Sequence, residues 1–208
     1  DSGYVVSAAD SGEEGLKEVF RAQGRYDLAA DALERASLMG PVGPGDLALL
    51  GFAYMQLDRL VEAERALERA QAAGPREPIV HLAAGQLAFL KRDYAAAAEH
   101  FRAVLERVPA STEARKGLAA SLINLGIEAY RGGRTEEAAA RFREALDHDP
   151  LSSAALQNLA LLELEAGRND AAEPLVERAL SLEPSSPSAL RLLVRVRERQ
   201  GRLVEALD

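Results

Sequence analysis

Apolar residues recur along this chain at helical spacing, three and four positions apart, in short runs separated by turn residues. Leu47, Leu50 and Tyr54 form one such stripe, and Leu60, Ala63, Leu67 and Ala70 form the next after a turn at Asp58. That spacing gathers each set on one face of an α-helix, whereas a strand would alternate apolar and polar residues. The two-stripe pattern repeats down the chain, which predicts successive pairs of antiparallel amphipathic helices. A lone hairpin of this kind cannot cover its own apolar face, so neighbouring hairpins must stack to bury it.

Proline and glycine set the period. Pro41, Pro75, Pro109, Pro150 and Pro184 are separated by 34, 34, 41 and 34 residues. Proline lacks an N–H and fixes φ, so it marks the joints between helices. The inner turn of each repeat falls at Gly24, Asp58, Arg92, Gly133, Gly167 and Gly201, in the same register. Glycine just past a helix end supplies the left-handed cap conformation. Five residues further on stands alanine every time, at Ala29, Ala63, Ala97, Ala138, Ala172 and Ala206. A methyl at each equivalent place is expected where two helices cross too closely for a larger side chain.

The repeat ending at Pro150 is seven residues longer than the others. Seven residues is close to two turns, with a drift of only about 20°. Leu118, Leu122, Leu125 and Ala129 therefore stay on one face, which predicts a helix extended at its front from Thr112, with Glu113 in its first turn. The alternative is a longer loop over residues 110–118. Pro174 is expected within the first turn of its helix, where the N–H groups have no intrahelical partner. Ser11, with Glu14 three residues later, reads as the cap of the first helix, and residues 1–9 as a linker or leader.

The second repeat carries Leu47, Leu50, Gly51, Tyr54, Ala63, Leu67, Ala70 and Pro75, and the fourth carries Leu122, Leu125, Gly126, Ala129, Ala138, Phe142, Ala145 and Pro150. Over residues 10–208 the chain resembles the tetratricopeptide repeat, although the Trp position of that pattern is never Trp here. The resemblance implies an all-α fold, a right-handed superhelical solenoid of antiparallel helix hairpins with about eleven helices. The repeats fall near 10–43, 44–77, 78–111, 112–152 and 153–186, with a partial sixth at 187–208 that leads us to expect the native chain to continue.

Composition narrows the chemistry. Hydrophobic residues make up 48% and aromatics 5%, with no Trp; the Ala, Leu, Glu and Arg that dominate are strong helix formers. A formal net charge of −8 gives no basic stripe of the kind nucleic acid requires. With no cysteine, disulfides, thiolate chemistry and Cys-based zinc sites are excluded. No apolar run approaches the roughly 18 residues of a membrane span. A soluble chain with no membrane insertion is expected, cytoplasmic or periplasmic. His81, His100 and His148 are far apart and fall in non-equivalent slots, so no metal, cofactor or acid–base pair is expected, and the chain is not read as an enzyme.

In the family it resembles, the first helix of each hairpin lines a concave face whose outward positions hold a peptide. Those positions are Leu49, Phe52 and Met55 in the second repeat, and Ile79, Leu82, Gln86 and Phe89 in the third. The fourth offers Ile123, Asn124, Ile127 and Tyr130, the fifth Asn158 and Leu161, and the sixth Arg191, Arg195 and Arg199. Asn124 and Asn158 occupy the places where some members hold a C-terminal carboxylate. The matching basic places are Ala120, Ser188 and Leu192, so that clamp is incomplete. The expected function is a scaffold or adaptor that holds a peptide or amphipathic helix of a partner protein. The alternative is a regulatory or assembly module of a longer polypeptide, acting through its ends. A contiguous apolar groove usually marks a partner site, but the same side chains could instead pack between neighbouring helices.

Overall fold

A computed structural model describes residues 25–202. The expected Ser11 cap, the first helix, the turn at Gly24 and the alanine at 206 lie outside the described residues, as do Glu14 and residues 1–9. Among the described residues there are ten helices and no strand: α1 (Tyr26–Met39), α2 (Pro44–Gln56), α3 (Leu60–Ala73), α4 (Pro78–Leu90), α5 (Tyr94–Arg107), α6 (Thr112–Arg131), α7 (Thr135–His148), α8 (Ser153–Glu165), α9 (Asn169–Leu182) and α10 (Pro187–Arg199). Even-numbered helices are the first of each hairpin and odd-numbered ones the second. The chain divides into two compact units, with the boundary between Leu87 and Ala88 inside α4.

In the first unit Leu47, Leu50 and Tyr54 of α2 share one core with Ala63, Leu67 and Ala70 of α3 and with Val80, Ala83 and Leu87 of α4. The second unit buries a succession of smaller cores, each joining one hairpin to the next. One holds Ala129, Ala138, Phe142, Leu159 and Leu162. Another holds Ala160, Ala172, Val176, Leu192 and Val196. Among the described residues, the alanines five past each turn are buried: Ala29 is 4% exposed, and Ala63, Ala97, Ala138 and Ala172 are 0%.

Helix crossing is tight enough to set side-chain sizes in pairs. A Cβ added to Gly51 of α2 would lie 2.8 Å from Leu67 Cγ of α3, and one on Gly126 of α6 would lie 2.5 Å from the Phe142 ring of α7. In the fifth repeat the same place is Ala160, and its counterpart on α9 shrinks to Val176. Glycine faces a large side chain and alanine a smaller one, so the volume at the crossing is kept.

Every described inner turn is built alike. The last turn of α2 closes with Arg59 N–H donating to Tyr54 C=O (2.9 Å) and Asp58 N–H to Met55 C=O (3.2 Å). The same pair of bonds recurs from Asp93 and Arg92, Arg134 and Gly133, Arg168 and Gly167, and Arg202 and Gly201. This is the Schellman arrangement, and it requires a left-handed residue. Gly133, Gly167 and Gly201 have φ of 75°, 75° and 74°, and Asp58 and Arg92 adopt the same conformation at 57° and 63°. The next residue serves both helices. Arg59, for example, closes α2 with its N–H and opens α3 by accepting from Ala63 N–H (3.0 Å).

The long repeat is a long helix. α6 has 20 residues against 13 in α2, α4, α8 and α10, and Ser111 caps it by accepting from Ala114 N–H at 3.2 Å. The extension is packed, since Ala114 and Leu118 are fully buried and Gly117 lies against the Phe101 ring of α5. Pro174 requires a correction: it is the sixth residue of α9, beyond the first turn. Its ring gives no N–H to the Asp170 carbonyl one turn back. Both residues are exposed, so water can serve that carbonyl.

The turns generate a test. Arg92→Gly should raise the melting temperature, because a non-glycine residue in the left-handed region costs about 1–2 kcal/mol. Gly167→Ala should lower it by a similar increment, although a Cβ there would meet nothing within 4 Å. Thermal unfolding of both variants checks whether conformation alone decides the sign.

Candidate protein-binding face

The candidate site lies on the first helices of the hairpins, and an ion pair on a buried carboxylate anchors α8 among them. Glu163 of α8 is 6% exposed and receives Arg143 of α7 at 3.1 Å, together with a shorter contact from Arg168. In the first unit the equivalent rung has its donor and acceptor exchanged. There Tyr54 of α2 donates its hydroxyl to Glu34 of α1, and Arg59 lies over the Tyr54 ring, 4.6 Å from its centre. Glu163 thus stands in the tyrosine slot, with Arg143 in the Glu34 slot.

The sequence-predicted residues divide by unit. In the first, Met55 and Leu82 are only 6% and 8% exposed; they are core side chains and offer little to a partner, which corrects their assignment to the face. Phe52 meets Tyr26 edge-to-face with centroids 6.2 Å apart, and both lean on the core, as does Ile79. Leu49 and Gln86 are half-buried. In the second unit Phe89 packs edge-on against Tyr94 at 5.3 Å.

The rest of the second unit brings the predicted residues together. Ile123, Ile127 and Tyr130 of α6 are half-buried, each resting partly on the Phe142–Leu159–Leu162 core. Leu161 of α8 rests in the same way on the next core. Tyr130 donates to both oxygens of Glu165 across to α8, at 2.9 and 2.8 Å. That bond raises the phenol's pKa, with burial and the Glu165 charge adding to it, while the charge of Arg195 on α10 pulls the other way. Three successive first helices therefore share one electrostatic neighbourhood.

Between α8 and α10 lies an open hollow of about 550 Å³. Ala154, Gln157, Asn158 and Leu161 line it from α8; Ser188, Arg191, Leu192 and Arg195 line it from α10, with Glu183 and Ser186 at the loop. Gln157 ties the two sides together, donating to Ser153 Oγ (2.9 Å) and Ser186 Oγ (3.4 Å) and accepting from Ser188 Oγ (2.5 Å). Asn158 donates to Ala154 C=O on its own helix at 2.8 Å, as Asn124 does to Ala120 C=O at 2.9 Å. Among the described residues, Arg191 and Arg195 have neither ion-pair nor hydrogen-bond partners. Arg199 differs: it donates to Leu164 C=O at the end of α8, 2.5 Å away. The arginine stripe expected from sequence is therefore two binding candidates and one structural tie.

Sequence reasoning missed Ser186 and named Ser188 only as a place where the clamp lacks its basic residue; both enter the hollow because α10 starts beside α8. Leu164, near the end of α8, is fully buried and takes no part in lining the hollow. Among the described residues no three His, Cys, Asp or Glu side chains cluster as a metal would need, and no helix is long and apolar enough to cross a membrane.

Comparison with known proteins gives consistent findings. The sequence model of the family described as Tetratricopeptide repeat matches residues 18–78, 48–112, 123–175 and 158–208. No curated protein matches the chain. Among solved structures it is similar to Pseudomonas aeruginosa pilF, with 15% identity and a TM-score of 0.68 over 94% of this chain and 87% of that one. It is also similar to YrrB, described as a TPR protein with an unusual peptide-binding site, with 18% identity and a TM-score of 0.62 over 86% and 89%. A chain of the APC/C hetero-tetramer Cut9-Hcn1 matches with 24% identity and a TM-score of 0.58, covering 89% of this chain. This chain spans only 35% of that one. At these identities the likeness is one of fold.

The Glu163 rung predicts a pH dependence. The Arg168 hydrogen bond, with the charges of Arg168 and Arg143, holds the carboxyl below its ordinary value of 4.5 against the pull of burial. A carboxylate lowered on folding stabilises fully above its unfolded pKa and loses that contribution as pH falls through the folded value. Glu163→Gln should therefore be less stable than wild type at neutral pH, with the gap closing below about pH 4.5. Urea midpoints across acid pH test this; a gap that does not change with pH would contradict it.

Proposed function

Because the chain belongs to the tetratricopeptide repeat family, a fold that serves as a protein–protein interaction scaffold, we propose that the first-helix face of its second unit is where a partner segment is held. The observation that carries this reading is the half-buried apolar row of Ile123, Ile127, Tyr130 and Leu161, which runs into a hollow flanked by two arginines without partners among the described residues. A scaffold that only stacked would gain from polar residues on that face. Apolar side chains left part-exposed in one row lose water only when something covers them. The arrangement suits a segment that lays small apolar side chains along α6 and α8 and passes over the start of α10.

Selection of binders from a displayed library of random twelve-residue peptides, followed by anisotropy with the recovered sequence, tests the reading. Ile127→Ser and Leu161→Ser should each weaken binding about tenfold, equivalent to 1.4 kcal/mol. Their melting curves should move little, because both side chains are only partly buried. Leu151→Ser, at a loop position 68% exposed, should leave binding unchanged. Failure to enrich any peptide, or equal loss in all three variants, would overturn the assignment of this face.

A further inference from the structure

We propose that the hollow between α8 and α10 is a subsite for an extended acidic segment of the partner, one that presents two side-chain carboxylates two residues apart. The inference rests on the first-helix face being the binding face, and it names the chemistry that face selects. Arg191 and Arg195 are one turn apart on α10, so their stems rise from the helix about 6 Å apart. Alternate side chains of an extended chain share a side and are about 6.6–6.8 Å apart. One guanidinium therefore meets one carboxylate, each in a planar two-hydrogen-bond pair. A single terminal carboxylate would have to be shared between the two arginines, giving up the planar pair with each.

The polar groups opposite favour an extended occupant over a helical one. A helix satisfies its own backbone, whereas an extended segment brings N–H and C=O groups that need partners. Asn158 uses one amide hydrogen on Ala154 C=O, which leaves its second hydrogen and its carbonyl oxygen. Those are the donor and acceptor of a peptide unit, presented across the hollow from Arg191 and Arg195. Gln157 is held by Ser153, Ser186 and Ser188 and acts as a fixed wall.

The charges lining the hollow are of both signs, with the positive ones in excess. Its lining contains two arginines and one carboxylate, Glu183. Glu165 is not part of that lining and accepts the Tyr130 hydroxyl. An excess of positive charge in the lining, set in a chain of net charge −8, favours an acidic segment at this place and helps to set its register. Leu161 and Tyr130 border the cationic patch, so an apolar residue beside the acidic pair has a place to lie.

The test is the composition of the peptides the full chain selects. The library is fused at its C-terminal side, so that no peptide has a free carboxylate terminus. Wild type should enrich Asp or Glu at positions two apart, and the Arg191→Gln/Arg195→Gln variant should lose that enrichment. A synthetic, amidated peptide of the recovered sequence should weaken about tenfold for each single Arg→Gln substitution, and its affinity should fall as salt rises. An Asp→Asn version should bind wild type and the double variant equally. Peptides that enrich only apolar residues, with affinity lost in Ile127→Ser but not in Arg191→Gln, would overturn the acidic subsite while leaving the face intact. Enrichment only from a library with free C-termini would also overturn it. Absence of any enrichment would overturn both readings together.

Discussion

At the crossing of α6 and α7 there is no room for a side chain on Gly126, since a methyl there would stand 2.5 Å from the buried Phe142 ring. The rest of the hairpin follows from that closeness. Two helices that approach so nearly need a small residue on the facing surface, which Ala138 supplies. They also need a short reversal, and the Schellman turn through Gly133 provides it while Arg134 starts the next helix one residue later. Once crossing and turn are fixed, the outer faces of both helices are set. The first helix then has no freedom in which residues it shows to solvent.

Joints between hairpins are held by apolar cores, with one polar rung placed at a repeated position. Tyr54 with Glu34 and Glu163 with Arg143 occupy equivalent places, with donor and acceptor exchanged. A rung that can be written in either polarity is specific to its own neighbour. A hairpin that set Glu163 against a Glu34-type partner would place two acceptors against each other, at a cost of about 1–3 kcal/mol. This contributes to keeping the repeats in order, although their apolar surfaces are much alike.

The repeat was legible because its signals are local and recur. Proline at the joints, glycine at the turns and alanine at the crossings each follow from backbone geometry, and the extended α6 could be read because seven residues nearly preserve a helical face. What could not be read depends on contacts between elements distant in sequence. Met55 and Leu82 fit the outward pattern of the family but are buried by neighbouring helices. Arg199 matches Arg191 and Arg195 in spacing, and only the end of α8 distinguishes it. Pro174 was placed a turn too early, although Gly167 marks the turn two residues before α9 begins. The hollow itself is a product of loop placement: Ser186 and Ser188 enter it because α10 starts beside Gln157.

Whether crossing distance governs the fold is tested most directly by a double-mutant cycle at Gly126 and Phe142. In an ordinary exposed helix Gly→Ala stabilises by about 1 kcal/mol. Here Gly126→Ala should destabilise, by about 1–3 kcal/mol, because the methyl overpacks the ring. Phe142→Val alone should also destabilise, by leaving a cavity. Together they recreate the Ala160–Val176 pair of the fifth repeat. The double variant should then be more stable than the sum of the single losses predicts, with a coupling of about 1 kcal/mol or more. Stabilisation by Gly126→Ala alone, or simple additivity in the double variant, would contradict the account.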